Sequence, residues 1–230
     1  YLMPRQAVLQ QFGVSVSDEI SYDVVRGYFW NKYFVMTRTV ANGASNTAAR
    51  IRDAARFLFA RDGYAAVSMR QLAAEVGVQA GALYLHIPDK QSLLFDLLHE
   101  NMESLLVAWD AEPRGEGPVG RLESFVRFHI RTHLDCPESV FLSNMELRNL
   151  TPENFRVIAG LRDQYEAELV AILQDGSAAD KMRVPDANLA AKAVLAMLTG
   201  VSGWYRDGGR LSRERVERIY WNMVRRAVGA

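Results

Sequence analysis

The sequence predicts an all-α protein, and three observations carry that expectation. From residue 47 onward apolar residues recur at i, i+3 and i+4 almost without interruption. Nowhere do apolar and polar residues alternate in the strand period, and no segment repeats at a fixed interval. Residues 67–86, VSMRQLAAEVGVQAGALYLH, place two short apolar-anchored helices on either side of a tight turn at Gly77.

The elements follow in order from their caps and breaks. Ile51, Ala55, Leu58 and Phe59 form one face of a first helix that stops at Asp62-Gly63. Ser68 with Gln71 three places later is a capping box, so a second helix runs through Leu72, Ala73 and Val76 to Gly77. A third spans roughly 79–86. Pro88-Asp89 opens a long fourth helix bearing Leu94, Leu97, Leu98, Leu105 and Trp109, and Gly115, Gly117 and Pro118 break the chain after it. Five further helices are expected. One carries Leu122, Phe125, Val126, His129, Ile130 and His133; another covers about 139–149; a third follows Thr151-Pro152 as far as Gly176. The fourth starts at Asp186 and ends near Gly208-Gly209, and Ser212 caps the last, with Val216, Ile219, Tyr220, Met223 and Val224 on one stripe.

Composition sets the outer bounds. With 230 residues, 49% apolar and 23% charged, the chain can bury a large core and is no disordered polyelectrolyte. No apolar run reaches the roughly 18–20 residues that span a bilayer, so a soluble, cytoplasmic protein without a membrane partner is expected. The single cysteine, Cys136, excludes a disulfide framework and a cysteine-rich zinc site. Residues 1–35 differ from the rest, crowding Tyr22, Tyr28, Phe29, Trp30, Tyr33 and Phe34 without a helical period, and 36–46 are small and polar. Residues 1–46 therefore read as an extension and flexible arm, with Met36 standing before what looks like an ordinary domain start. No signal peptide is legible.

A helix-turn-helix puts its second helix into the major groove while the first crosses the backbone. The exposed side of that helix must be small or hydrogen-bonding, which Gln79, Ala80, Gly81, Leu85 and His86 satisfy. An ordinary helical hairpin shares the same period. The flanking residues extend the pattern. Ile51 to Tyr64, then Ser68-Met69-Arg70-Gln71-Leu72-Ala73, Gly77-Val78, Gly81-Ala82-Leu83-Tyr84, His86, Pro88-Asp89-Lys90 and Leu93-Leu94 together resemble the N-terminal domain of the TetR family of transcriptional repressors. The resemblance implies a homodimer with one reading head per subunit, a variable C-terminal ligand domain, and release from a palindromic operator when a small apolar ligand binds. It divides the chain into a helix-turn-helix domain at 47–92 and a ligand-binding and dimerisation domain at 93–230.

On these terms Tyr84 and Lys90 are phosphate contacts, and Ser68, Met69 and Arg70 begin the helix that abuts the backbone, where its N-terminal amides favour a phosphate. Arg50 or Arg52 adds another from the first helix. Gln79 pairs with adenine, and Ala80 or Leu85 touches a thymine methyl. Two departures stand out: Ile87 occupies a usually aromatic position, and Ala80 and Ala82 replace polar or basic readers. Few direct readers remain, which keeps open the alternative of a helical ligand-binding or scaffold protein with weak or lost DNA binding.

In the larger half Trp109, Phe125, Phe128, His129, His133, Met145, Tyr165 and Trp204 are candidates to line a ligand cavity, against ordinary core. Segments 145–169 and 198–212 resemble TetR-type regulators of lipid and acyl-CoA catabolism, which implies an acyl-CoA or another long apolar effector, with Arg148 or Arg162 meeting a phosphate or carboxylate. His129 and His133 share one helix face as a metal pair would, but only Asp135 and Cys136 follow, so pocket wall or core is expected and no metal or other cofactor. Small residues including Ala193 and Gly200, together with Met197 and the stripe Val216, Ile219, Tyr220 and Met223, suit a two-fold four-helix dimer interface. No nucleophile–base set, glycine-rich phosphate loop or carboxylate pair points to an enzyme. The neutral total of 27 basic and 27 acidic groups hides an asymmetry: residues 45–90 hold six basic and four acidic groups, residues 91–230 hold 17 and 20.

Overall fold

The computed structural model describes residues 43–230, so the reading of residues 1–42 as an extension and arm lies outside the described residues. The chain divides into two units, of which the second, Ile51–Ala230, is compact and described throughout. Every described element is helical. Helix α1 is Gly43–Asp62, α2 Met69–Val76, α3 Ala80–Leu83, α4 Lys90–Ala111, α5 Gly117–Asp135 and α6 Pro137–Met145. A 3-10 turn at Leu147–Asn149 leads to α7 Pro152–Ala178, α8 Ala187–Thr199, α9 Val201–Trp204 and α10 Arg213–Ala227.

Short-range chemistry sets most of these ends. Ser68 accepts from the Gln71 amide while the Gln71 side chain accepts from Ser68 N, so both halves of the capping box form. Asp89, Thr151, Asp186 and Ser212 each accept a backbone N–H three residues on, opening α4, α7, α8 and α10. Several boundaries differ from the sequence reading. Helix α1 takes in Gly43–Asn46. Gly117 and Pro118 are not a break but the first turn of α5, where a proline lacking its N–H costs nothing. The helix expected over 139–149 starts at Pro137 and gives way to the 3-10 turn after Met145, and the one expected to reach Gly208 ends at Trp204.

One core runs through the second unit. In the N-terminal helices Ile51, Ala55, Leu58, Phe59, Leu72, Val76 and Leu83 are buried together. Helix α4 continues that core with Leu93, Leu94, Leu97, Leu98, Met102, Leu105 and Trp109 on one stripe. Helix α5 lies at the centre of the larger half, packed against α7, α8 and α10. Its Arg127 and Arg131 meet the buried Glu217 of α10 at 3.8 and 3.3 Å, so a buried carboxylate is paired where α10 crosses.

The turn between α2 and α3 needs Gly77, which sits at φ +75° and donates its N–H back into α2. Gly81, inside α3, has nothing within 4 Å of where a Cβ would stand. The two positions respond oppositely to alanine. Gly77→Ala lowers the unfolding free energy by about 1–2 kcal/mol, the cost of a left-handed L-residue. Gly81→Ala raises it by roughly 0.5–1 kcal/mol through helix propensity. Urea unfolding of both variants checks the signs.

Candidate nucleic-acid interface and buried cluster

Helices α2 and α3 present one packed and one bare side. Leu72, Ala73, Val76 and Leu83 are buried, while Ser68, Arg70, Gln79 and Gly81 are exposed and Met69, Ala80 and His86 partly so. The helix expected over 79–86 is shorter than that. After Leu83 the chain tightens into a turn closed by Leu85 N to Ala82 O at 3.3 Å and His86 N to Leu83 O at 2.9 Å. Ile87, buried and followed by Pro88, is held out of the helical region by the proline ring. The turn stands two large apolar side chains in water: Tyr84 is 55% and Leu85 83% exposed.

Lys90 opens α4 with its Nζ 4.2 Å from the Tyr64 ring centroid, and burial there lowers its pKa. Arg50 is exposed on α1. The exposed side thus combines a helix N-terminus, an arginine, a glutamine and a phenol, donors that suit phosphate oxygens and base edges.

In the larger half, six of the expected cavity residues come together. Trp109 meets Phe125 edge-on at 5.0 Å and Phe128 at 5.3 Å; Phe125 stacks on Tyr165 at 5.1 Å. His129 and His133, one turn apart on α5, stack with centroids at 3.7 Å. His129 is held at both nitrogens, Nδ1 3.2 Å from the Tyr165 hydroxyl and Nε2 3.1 Å from the Thr199 hydroxyl. A neutral imidazole donates at one nitrogen and accepts at the other, and each hydroxyl can answer in either sense. Burial and the facing His133 push His129 well below the ordinary histidine range, and burial takes His133 down to about 4. Among the described residues His133 Nδ1 is buried without a hydrogen bond of ordinary geometry, and the His129 backbone lies near enough to the ring to favour its protonated form. Arg162 lies near enough to act on it, with its guanidinium donating to the Ser143 carbonyl at 3.0 Å.

The other expected cavity residues stand apart. Met145 and Arg148 are exposed at the end of α6 and in the 3-10 turn. Trp204 is exposed as well, because α9 ends on the outer side of the bundle; it stacks on Tyr220 at 6.3 Å and donates to its hydroxyl. The rings of the cluster pack directly on one another. Of two open surface clefts, one of about 270 Å³ is lined by Glu112, Arg127 and Arg131 and borders the cluster, Glu112 acting on Tyr165, and one of about 300 Å³ is lined by Arg61, Gln71 and Glu75. Among the described residues no group of three or more His, Cys, Asp or Glu is placed to hold a metal. No described helix is long and apolar enough to cross a membrane.

The stripe on α10 splits. Val216 and Val224 are buried inside their own chain, so Val216 is not available to a dimer interface, while Ile219 and Met223 are exposed and Tyr220 half-buried. Ala193 is exposed and Met197 half-buried on α8, next to an open Leu189. Sequence reasoning missed Thr199, and it missed a polar seam at Tyr64, Gln91, Glu146 and Asn149. Apart from Asn149 with Glu146, the partners are 27 to 82 residues apart, for example Tyr64 with Glu146 at a separation of 82, and no local pattern marks them.

Comparison with known proteins adds the following. Residues 51–97 match the family described as bacterial regulatory proteins, tetR family, and residues 115–228 match the tetracyclin repressor-like C-terminal domain. The HTH-type transcriptional repressor KstR2 of Rhodococcus jostii (strain RHA1) is 24% identical over 186 residues, covering 80% of this chain and 91% of that protein. A crystal structure of a bacterial regulatory protein in the tetR family from Rhodococcus RHA1 is 31% identical with a TM-score of 0.75, covering 82% of this chain and 98% of that one. The crystal structure of AibR in complex with isovaleryl coenzyme A and operator DNA shares the fold at 24% identity and TM-score 0.70, covering 77% and 97%.

The buried imidazoles make stability depend on pH. Unfolded, both histidines bind protons near pH 6.5, whereas folded His133 does so only near 4 and His129 lower than its ordinary value. The unfolded chain therefore holds more protons in acid, and stability falls as pH drops from 6.5 toward 4, by up to about 1.4 kcal/mol per pH unit for each histidine. Urea unfolding at pH 7.5 and 5 checks this; a His133→Phe variant is expected to lose less than the wild type over the same interval.

Proposed function

Because the chain belongs to the TetR family of bacterial regulatory proteins, we propose that it is a cytoplasmic, ligand-responsive transcriptional repressor rather than an enzyme. It binds a palindromic operator as a homodimer and leaves it when a small apolar effector binds. The observation that carries this reading is the bare side of the helix-turn-helix, where Tyr84 and Leu85 project into water from a turn anchored by the buried Leu83 and Ile87. The reading head comprises residues 47–92 and the effector and dimer half residues 93–230.

At the DNA, Arg50, Arg70, Tyr84, His86 and Lys90 take phosphates, and the amides opening α2 at Ser68 and Met69 take one more. Gln79 reads an adenine, and Ala80, Gly81 and Leu85 permit close approach to thymine methyls. In the other half the effector parts the closed cluster of Trp109, Phe125, Phe128, His129, His133 and Tyr165. Its acyl portion replaces packed aromatic contacts, and a carbonyl or thioester oxygen meets the unpartnered His133 Nδ1, which requires that nitrogen to carry the proton. The AibR complex with isovaleryl coenzyme A supports an acyl-coenzyme A as effector class, and KstR2 supports repression. Dimers pair the exposed and half-buried apolar band of Ala193, Met197, Trp204, Ile219, Tyr220 and Met223 with its two-fold copy, an arrangement in which each subunit offers the same patch.

Selection from a random duplex library tests the DNA half. It is expected to return paired half-sites about one helical turn apart, and a single half-site would sink the dimer. Gln79→Ala then relaxes preference at one base position, while Lys90→Ala weakens all duplexes and reduces the salt slope by about one. Titration with acyl-coenzyme A thioesters of graded chain length tests the effector half. At least one is expected to weaken DNA binding by about tenfold or more, within the range of ordinary allosteric coupling, while free coenzyme A does not. Equal DNA affinity with and without every thioester would remove acyl-coenzyme A as the effector class.

A further inference from the structure

Where the reading head meets the larger half, the contact is polar and directional. Glu146, at the junction of α6 and the 3-10 turn, is 4% exposed, and its Oε1 accepts the Tyr64 backbone N–H at 3.2 Å. Its Oε2 accepts from the Asn149 side-chain amide. Gln91, in the first turn of α4, donates from Nε2 to the Asn149 carbonyl at 2.7 Å and accepts the Thr151 N–H on Oε1 at 3.2 Å. The same Nε2 reaches the Tyr64 hydroxyl at 3.5 Å. Lys90 borders the seam, its ammonium over the Tyr64 ring and within electrostatic reach of Glu146.

Such a seam is unlike the apolar packing that surrounds it. Apolar contacts allow helices to slide by fractions of a turn at small cost, whereas a buried carboxylate bonded to one backbone N–H tolerates little displacement before it is stranded. Gln91 adds a second fixed point, because one amide group answers a carbonyl and an N–H two residues apart and fits only one register. The far side of α6 is tied to the buried cluster: Ser143, three residues before Glu146, is gripped by Arg162 at its carbonyl and by Asn101 at its hydroxyl.

We infer that Glu146 and Gln91 are positioning residues that set the angle of the reading head against the rest of the chain, and through it the half-site spacing that a dimer accepts. Neither touches DNA; both act through Tyr64 and the start of α4, next to the side chains that do. The inference rests on the dimeric reading proposed above, since an angle becomes a spacing only when two heads are joined.

The test measures the affinity of the full chain for duplexes that carry two copies of the selected half-site with the spacer varied base pair by base pair, alongside a duplex with one half-site. Gln91→Ala and Glu146→Ala are each expected to lose the wild type's spacing preference while single half-site affinity is unchanged. Glu146→Gln, which keeps a side-chain carbonyl for the Tyr64 N–H, is expected to hold it. Gln91 is only half-buried, so its alanine variant remains informative should Glu146→Ala not fold, as judged by circular dichroism. Unaltered spacing preference in a folded Gln91→Ala variant overturns the inference, as does an equal loss of affinity on all duplexes including the single half-site. Absence of any spacing preference in the wild type overturns the dimeric reading instead, and this inference with it.

Discussion

The structure depends on α4 being shared. Its 22 residues, about 33 Å long at 1.5 Å per residue, bury one stripe whose first members, Leu93 and Leu94, belong with the helix-turn-helix and whose last, Trp109, belongs with the aromatic cluster. A single rigid rod therefore completes two local cores, and neither can move without it. Its N-terminus lies beside the helix-turn-helix, at the end proposed to face DNA, and its C-terminal third lies against the place proposed for the effector. That geometry lets a displacement of less than an ångström at Trp109 appear as a larger one at Lys90, provided that the helix pivots rather than bends.

The buried cluster shows how polar groups persist inside an apolar bundle. His129 keeps both nitrogens bonded, to Tyr165 and Thr199, and Trp109 donates its indole N–H to Glu168 at 3.1 Å, so these rings lose little by leaving water. His133 is the exception, and the two stacked imidazoles, both on α5, are compatible because both stay neutral; two imidazolium charges with ring centroids at 3.7 Å would repel strongly in a low-dielectric interior. A packed core with one unanswered donor or acceptor is stable enough to fold and still leaves free energy to be gained by a ligand that answers it.

Net charge misleads for the same reason that averages do. Equal totals of 27 basic and 27 acidic groups conceal a reading head with six against four and a larger half with 17 against 20. Six basic groups make a modest electrostatic head. The backbone amides opening α2 and the exposed Tyr84 are hydrogen-bond donors that formal charge does not count.

How much of this was legible follows from range. Helix starts at Ser68, Asp89, Thr151, Asp186 and Ser212 were readable because a cap and the amide it accepts lie three residues apart, and the turn at Gly77 because only glycine takes its conformation cheaply. The reading head as a unit was readable because nearly all its contacts lie within some 45 residues. What the sequence could not resolve is which part of a wide apolar arc faces the core. Val216 turned inward while Ile219 and Met223 faced out, and Trp204 left the cavity for the surface beside Tyr220. Periodicity reports that a helix has an apolar side, but the crossing of α10 over α5 and the end of α9 after one turn decide where that side points. The partners of His129 and the seam through Glu146 were likewise settled only in three dimensions, because hydrogen bonds between residues 70 and 82 positions apart leave no trace in local spacing. Local chemistry determined the elements; their packing determined the sites.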